Sequence, residues 1–252
     1  PPGSAGPQDI LRYEGGAIYQ HAGQLILEHV HFLGNFAPRG GAIYMRAGQL
    51  RAIKSSFNSG FSTIHGGAIW AMSGSGEGRG EVASLVMEEC RFIENRGGAM
   101  YLEGALVTLE RCHFEDNMND GTARGGGAIQ GNGASISLVD CKFINNIQQH
   151  KDPAAIAAVE GQVVASLGGG AISVRRGRMD VENSVFLHNI AEDTGGAIDG
   201  WDTTIQVLDS VFDRNIAKHG GVIDINFGFM DIRGSSFVRN QAIDDSIEYN
   251  IV

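Results

Sequence analysis

Cysteine, proline and tryptophan are all scarce in this chain of 252 residues, numbering three, five and two. An odd, small set of cysteines is no disulfide framework, and none lies in a Cys-x-x-Cys or Cys/His spacing that would hold zinc. Long apolar runs are missing too. A membrane-spanning helix needs about 20 consecutive apolar residues, and the best stretch, 154–167, is broken by Glu160 and Gly161. Positive charge is in deficit: 19 basic residues stand against 29 acidic ones, a net charge of −10. A protein that holds phosphate backbones carries the opposite balance, so no nucleic-acid partner is expected. The acidity is uneven, because residues 191–252 alone hold eleven acids and four bases, a net of −7. The opening stretch, Pro1 to Pro7, has neither Met nor an apolar signal core and reads as a trimmed end.

Glycine is the abundant exception, at 37 residues. Without a three-residue collagen period, that much glycine points to many tight turns or to a repeat. A repeat is present. A Gly-Gly-Ala-Ile-like motif opens at Gly15, Gly40, Gly66, Gly97, Gly126, Gly169, Gly195 and Gly220. With that first glycine as position zero, position seventeen is Phe in seven copies: Phe32, Phe57, Phe114, Phe143, Phe186, Phe212 and Phe237. In the remaining copy Phe92 is delayed by nine residues, and the insert is visible at 73–80. Position three is always apolar, from Ile18 to Ile223, and positions ten and twelve are apolar throughout. Position twenty is Asn everywhere but at Gly60.

Apolar residues two apart within short segments mean strands. Three short strands joined by turns make one triangular coil, and a period near 25 residues marks a solenoid. The fold class expected is therefore all-β, a single-stranded right-handed parallel β-helix of eight complete coils over 15–245. An N-terminal extension precedes it (1–14), and a tail follows (246–252) that alternates like the start of a ninth coil. One coil cannot bury its own inward face, whereas eight stacked coils form a continuous core. The Phe row should then stack about 4.8 Å apart, and the Asn row should form a ladder of amides. All three cysteines, Cys90, Cys112 and Cys141, fall at position fifteen, where stacked parallel side chains do not converge as a disulfide requires. They are expected as buried free thiols.

The distance from each Phe to the next Gly-Gly varies from five to 26 residues, so length variation gathers at one corner. The longest insert is 147–167. Within it Asp152, Pro153 and Gly161 supply an N-cap, a first-turn proline and a terminator, which predicts a two-turn helix.

The pairing of Gly-Gly-Ala-Ile with Phe-x-x-Asn resembles the repeat of the chlamydial polymorphic outer-membrane proteins and of secreted proteins in some algae and other protists. The resemblance covers about Gly15 to Asn240. It implies adhesion or protein binding and a secreted or cell-surface location, with an organelle lumen or a large complex as alternatives. It brings no catalytic residues and no cofactor or metal.

In the first strand, positions four and six should face outward. Position four reads Tyr19, Tyr44, Trp70 and Tyr101 in coils one to four, an expected exposed aromatic ladder. Such a row binds a protein, offers a platform for sugar rings, or only stabilises the sheet by cross-strand stacking. In coils seven and eight the same row holds Asp199 and Asp224, with Trp201 nearby at position six. Two stacked carboxylates invite a cation or a raised pKa. Asp116 to Gly121 has part of a calcium-loop pattern, but Met118 and Gly127 occupy ligand positions. His29 and His31 alternate on one edge. Catalytic motifs of pectin-degrading β-helix enzymes are missing apart from Asp244-Asp245.

The expected function is a non-catalytic binding or scaffold protein with a protein partner, carbohydrate being the second choice. The alternative is a lyase or glycoside hydrolase acting on acidic polysaccharide. Uncovered solenoid ends predict end-to-end association or a capping partner.

Overall fold

A computed structural model describes residues 13–74, 81–120, 125–149 and 168–243. The helix expected at 152–161 and the tail at 246–252 lie outside them. Within them the chain forms 31 strands and no helix.

Three parallel sheets of eight strands run the length of the molecule. The first extends from Ile18–Gln20 to Ile223–Asn226, the second from Gln24–Glu28 to Phe229–Arg233, and the third from His31–Leu33 to Ser236–Val238. One strand of each per coil gives the eight coils that the repeat predicts. A fourth, short strand that the periodicity did not predict follows the Asn position. It builds a five-stranded sheet from Met118–Asn119 to Gln241–Ala242, and Phe36–Arg39 pairs with Phe61–His65 in coils one and two.

Register is held by like residues. Phe32 pairs with Phe57, Phe92 with Phe114, and Ile129 with Ile172. The eight Phe rings stack with centroids 4.6–4.9 Å apart and planes within 2–8°. Burying each such ring contributes about 1.5–3 kcal/mol. A one-residue slip would turn every ring out of the core, so the pattern itself specifies the pairing.

The corners depend on single left-handed residues. Position fourteen has positive φ in every coil, as in Lys54 (φ 47°), Arg111 (52°) and Asp209 (47°). So does position nineteen, as in Ser59 (51°), Glu94 (56°) and Asp116 (53°). One αL residue between extended neighbours bends the chain sharply. The Gly-Gly pair has a different reason. A Cβ on Gly40 would lie 2.1 Å from the Ile43 carbonyl oxygen, and one on Gly41 2.0 Å from that of Gly67 in the next coil. No side chain fits where backbone meets backbone so closely.

Buried polar groups next to the Phe row are satisfied by their own repeats. Asn95 Nδ2 donates to Asn117 Oδ1 at 2.9 Å, Asn117 to Asn146 at 2.9 Å, Asn146 to Asn189 at 3.0 Å, Asn189 to Asn215 at 2.9 Å, and Asn215 to Asn240 at 3.0 Å. Gly60 breaks the row because a Cβ there would meet Gly67 O at 2.3 Å and Asn95 Oδ1 at 2.8 Å. Its backbone N–H still donates to the Asn95 amide oxygen, at 2.9 Å, as the backbone N–H of Asn95 does to Asn117. The three cysteines are buried and free, as expected. Each thiol donates to a carbonyl two residues back, at Glu88, Glu110 and Val139. The hydrogen bond with Cys141 pushes the Cys112 thiol up to about 12.

Candidate functional site

The aromatic row at position four is built as the repeat requires. Tyr19 stacks on Tyr44 at 5.3 Å, Tyr44 on Trp70 at 6.3 Å and Trp70 on Tyr101 at 4.1 Å. It is not the exposed ladder that strand alternation predicts. Tyr44 and Trp70 are 4% and 6% exposed and Tyr101 is half-buried, leaving only Tyr19 open, at 50%.

The cover is the chain's own corner. The residue before the glycine pair folds back over the position-four row, and Arg39 and His65 each reach the ring of the following coil. Arg39 places its guanidinium 5.0 Å above the Trp70 ring and pairs with Glu14 at 2.9 Å. His65 stacks on Tyr101 at 4.9 Å and tilts against Trp70 at 6.0 Å. Tyr44 donates its hydroxyl to the Met72 sulfur at 3.1 Å. Burial, with the Arg39 charge beside it, lowers His65 to about 4. Burial, helped by Glu14, raises Tyr44 to about 12.

In coil seven the residue before the glycine pair reaches position four of its own coil. Thr194 precedes its glycine pair and donates to Asp199 Oδ1 at 3.3 Å, while Ser173 donates to Oδ2 at 3.0 Å. Asp199 is fully buried. Asp224 pairs with it in register and is half-buried. Burial raises the Asp224 pKa, against the opposing effect of the Asn226 amide that donates to it at 2.7 Å. Only one of the two carboxylates is thus open to solvent. Trp201 is half-buried, edge-on to Phe227 at 5.1 Å. The partial calcium loop is dismantled by the fold: Asp116 is a corner residue and the Asn117 amide belongs to the buried ladder. His31 and Ser56 share a hydrogen bond of 2.8 Å, and His29 is a corner residue. Among the described residues no three His, Cys, Asp or Glu side chains converge as metal ligands.

The side chains that do face outward as an apolar row sit at position twenty-one, in the fourth strand. Phe36, Phe61, Met118, Ile147, Ile190 and Ile216 follow one another along the axis, with Arg96 between Phe61 and Met118. Phe36 and Phe61 are 56% and 40% exposed and stack at 5.4 Å. The four aliphatic members are each half-buried. Coil three has the shortest corner, only five residues from Phe92 to Gly97. Between its longer neighbours it leaves a recess of about 640 Å³, walled by Phe61 and Met118 and lined by Glu94, Arg96 and Asp116. The sequence carries this row in six of the eight coils, Arg96 and Gln241 being the exceptions, but the short corner segment in which it lies did not read as a strand.

On the outer face of the third sheet a second recess, of about 610 Å³, lies over coils three to five. Its floor is the position-sixteen row, Arg91, His113 and Lys142, in register.

Among known proteins, no curated sequence matches this chain. The family described as "Right handed beta helix region" matches residues 41–243, which covers the stacked coils from the second to the eighth. With its parallel in-register sheets and one-coil repeat, the chain belongs to the right-handed β-helix family.

Proposed function

We propose that this chain is a non-catalytic binding or scaffolding module, serving in adhesion or as an accessory subunit of a larger assembly, and that it takes a protein partner along its outer corner. The observation that carries this reading is the partly exposed apolar row from Phe36 to Ile216. An aligned apolar stripe on an outer surface marks an interaction face, and a rigid in-register rod presents it at fixed spacing. The paired Gly-Gly-Ala-Ile and Phe-x-x-Asn repeat adds support through its likeness to surface adhesins, and with it a secreted or cell-surface location. The alternative, cleavage of acidic polysaccharide, has less support. It needs Asp199 and Asp224 on one open face, and Asp199 is buried.

The test uses the source from which the chain comes. A partner retained by the wild-type chain should be lost on Phe61→Ser and Ile190→Ser, with melting temperature nearly unchanged. Retention by both variants overturns the reading. So does calcium-dependent turnover of polygalacturonate that Asp224→Asn abolishes.

A further inference from the structure

We propose that Arg91, His113 and Lys142 form a binding site for an oxyanion group, a carboxylate or a sulfate or phosphate ester, carried by a partner molecule. The argument starts from register. Arg91 pairs with His113 and His113 with Lys142, in three successive strands of the third sheet. Parallel strands lie about 4.8 Å apart, so the two long cationic side chains leave the sheet about 10 Å apart, one on each side of the imidazole. All three point outward, Arg91 and Lys142 being exposed and His113 half-buried. They floor a recess of about 610 Å³, inside the usual range for small-ligand sites.

The charges around them are mostly spoken for. Arg111, at the recess wall, is held by Glu88 and Glu110. Glu89 lies 3.8 Å from Lys54 and 3.7 Å from Arg111. Glu115 accepts from His113 Nε2 at 2.9 Å. Among the described residues no ion pair reaches Arg91 or Lys142, and the one carboxylate of the recess likewise left over is Asp140, on its rim. Arg91 and Lys142 are thus the two basic side chains of the recess that no ion pair holds, on a chain whose net charge is −10. Like charges along one row cost stability, and an oxyanion between them reverses that cost. Charge-assisted hydrogen bonds to guanidinium and ammonium are about twice as strong as neutral ones. The site is independent of the apolar row, since neither Phe61 nor Ile190 lines it.

The experiment is calorimetric titration of the full chain with three probes: trigalacturonate, a sulfated disaccharide and inorganic phosphate. Binding by at least one is expected, and the tightest identifies the source of the oxyanion. The double variant Arg91→Ala/Lys142→Ala should weaken it by at least about tenfold. Asp140→Asn should tighten it about two- to threefold by removing the opposing charge. Arg233→Ala, in coil eight, should leave it unchanged. Absence of binding by all three probes at millimolar concentration overturns the proposal. Equal binding by the wild type and the double variant overturns it too.

Discussion

Two rows of aromatic rings run along this solenoid, and they obey different rules. The Phe row keeps one residue type through eight coils, and its rings stay within 8° of parallel. The position-four row mixes Tyr and Trp over four coils, with planes tilted by 10–29°, and then turns polar at Gln130, Ser173, Asp199 and Asp224. Both rows have the same backbone spacing. The difference lies in the cover. The Phe row faces the closed core and is stacked on its own kind, so identical neighbours fit best at the strand separation. The position-four row meets the corner segment, whose length and residues change from coil to coil, so each rung matches its own lid.

The largest effect that separates the two rows should come from Phe143→Ala. The site is fully buried between two stacked rings, and a loss of about 3–5 kcal/mol in urea unfolding is expected. A loss under about 1 kcal/mol would mean that the core closes around the gap and the stack is not specific.

Next comes acid sensitivity, which should belong to the covered row. His65 is lowered to about 4 in the folded chain, against about 6.5 unfolded. Between these values the unfolded state binds more protons, so stability is intact above pH 6.5 and falls as the pH drops toward 4. The loss approaches about 3 kcal/mol. Urea midpoints measured across that window should fall for the wild type and flatten for His65→Gln. Parallel curves for the two proteins would remove His65 from the account.

Tyr19→Ser should have the smallest effect, about 0.5 kcal/mol, because half of the side chain is already in water. A cost comparable to that of Phe143→Ala would mean that the open end of the ladder is as constrained as the core.

Much of the architecture was legible because a coil repeats its chemistry at fixed offsets. Phe at seventeen, Asn at twenty and Cys or Ser at fifteen each announce a buried row, and each is found where the spacing places it. The lid over position four was not legible in the same way. Strand alternation sends Tyr44 and Trp70 to the side opposite Ile43 and Ile69, and that part is correct. What alternation cannot say is whether that side meets water. The signal lay in the residue before the glycine pair: in six of the eight coils it is Glu14, Arg39, His65, Arg96, Thr194 or His219, all types able to pair with or stack on a neighbour, while Gly125 and Gly168 are the exceptions. The corners were hidden for another reason. Lys54, Arg111 and Arg214 adopt the αL conformation without the glycine that usually signals it, because coil stacking outweighs a local cost of about 1–2 kcal/mol.

The amide ladder has an electrical consequence. Backbone bonds between coils run both ways, as when Ala42 N–H donates forward to Ala68 O and Arg46 N–H donates back to Gln20 O, so their dipoles largely cancel. The asparagine side chains do not alternate. From Asn95 to Asn240 every amide turns its oxygen toward coil one, and from Asn95 to Asn215 one N–H reaches toward coil eight while the other returns to a Phe carbonyl of the coil before. Aligned hydrogen bonds polarise one another, and these sum to a line of dipoles buried in the rod, positive toward coil eight. That is the end at which residues 191–243 carry eight acids against four bases. The rod is thus polarised inside in the sense opposite to its surface charge.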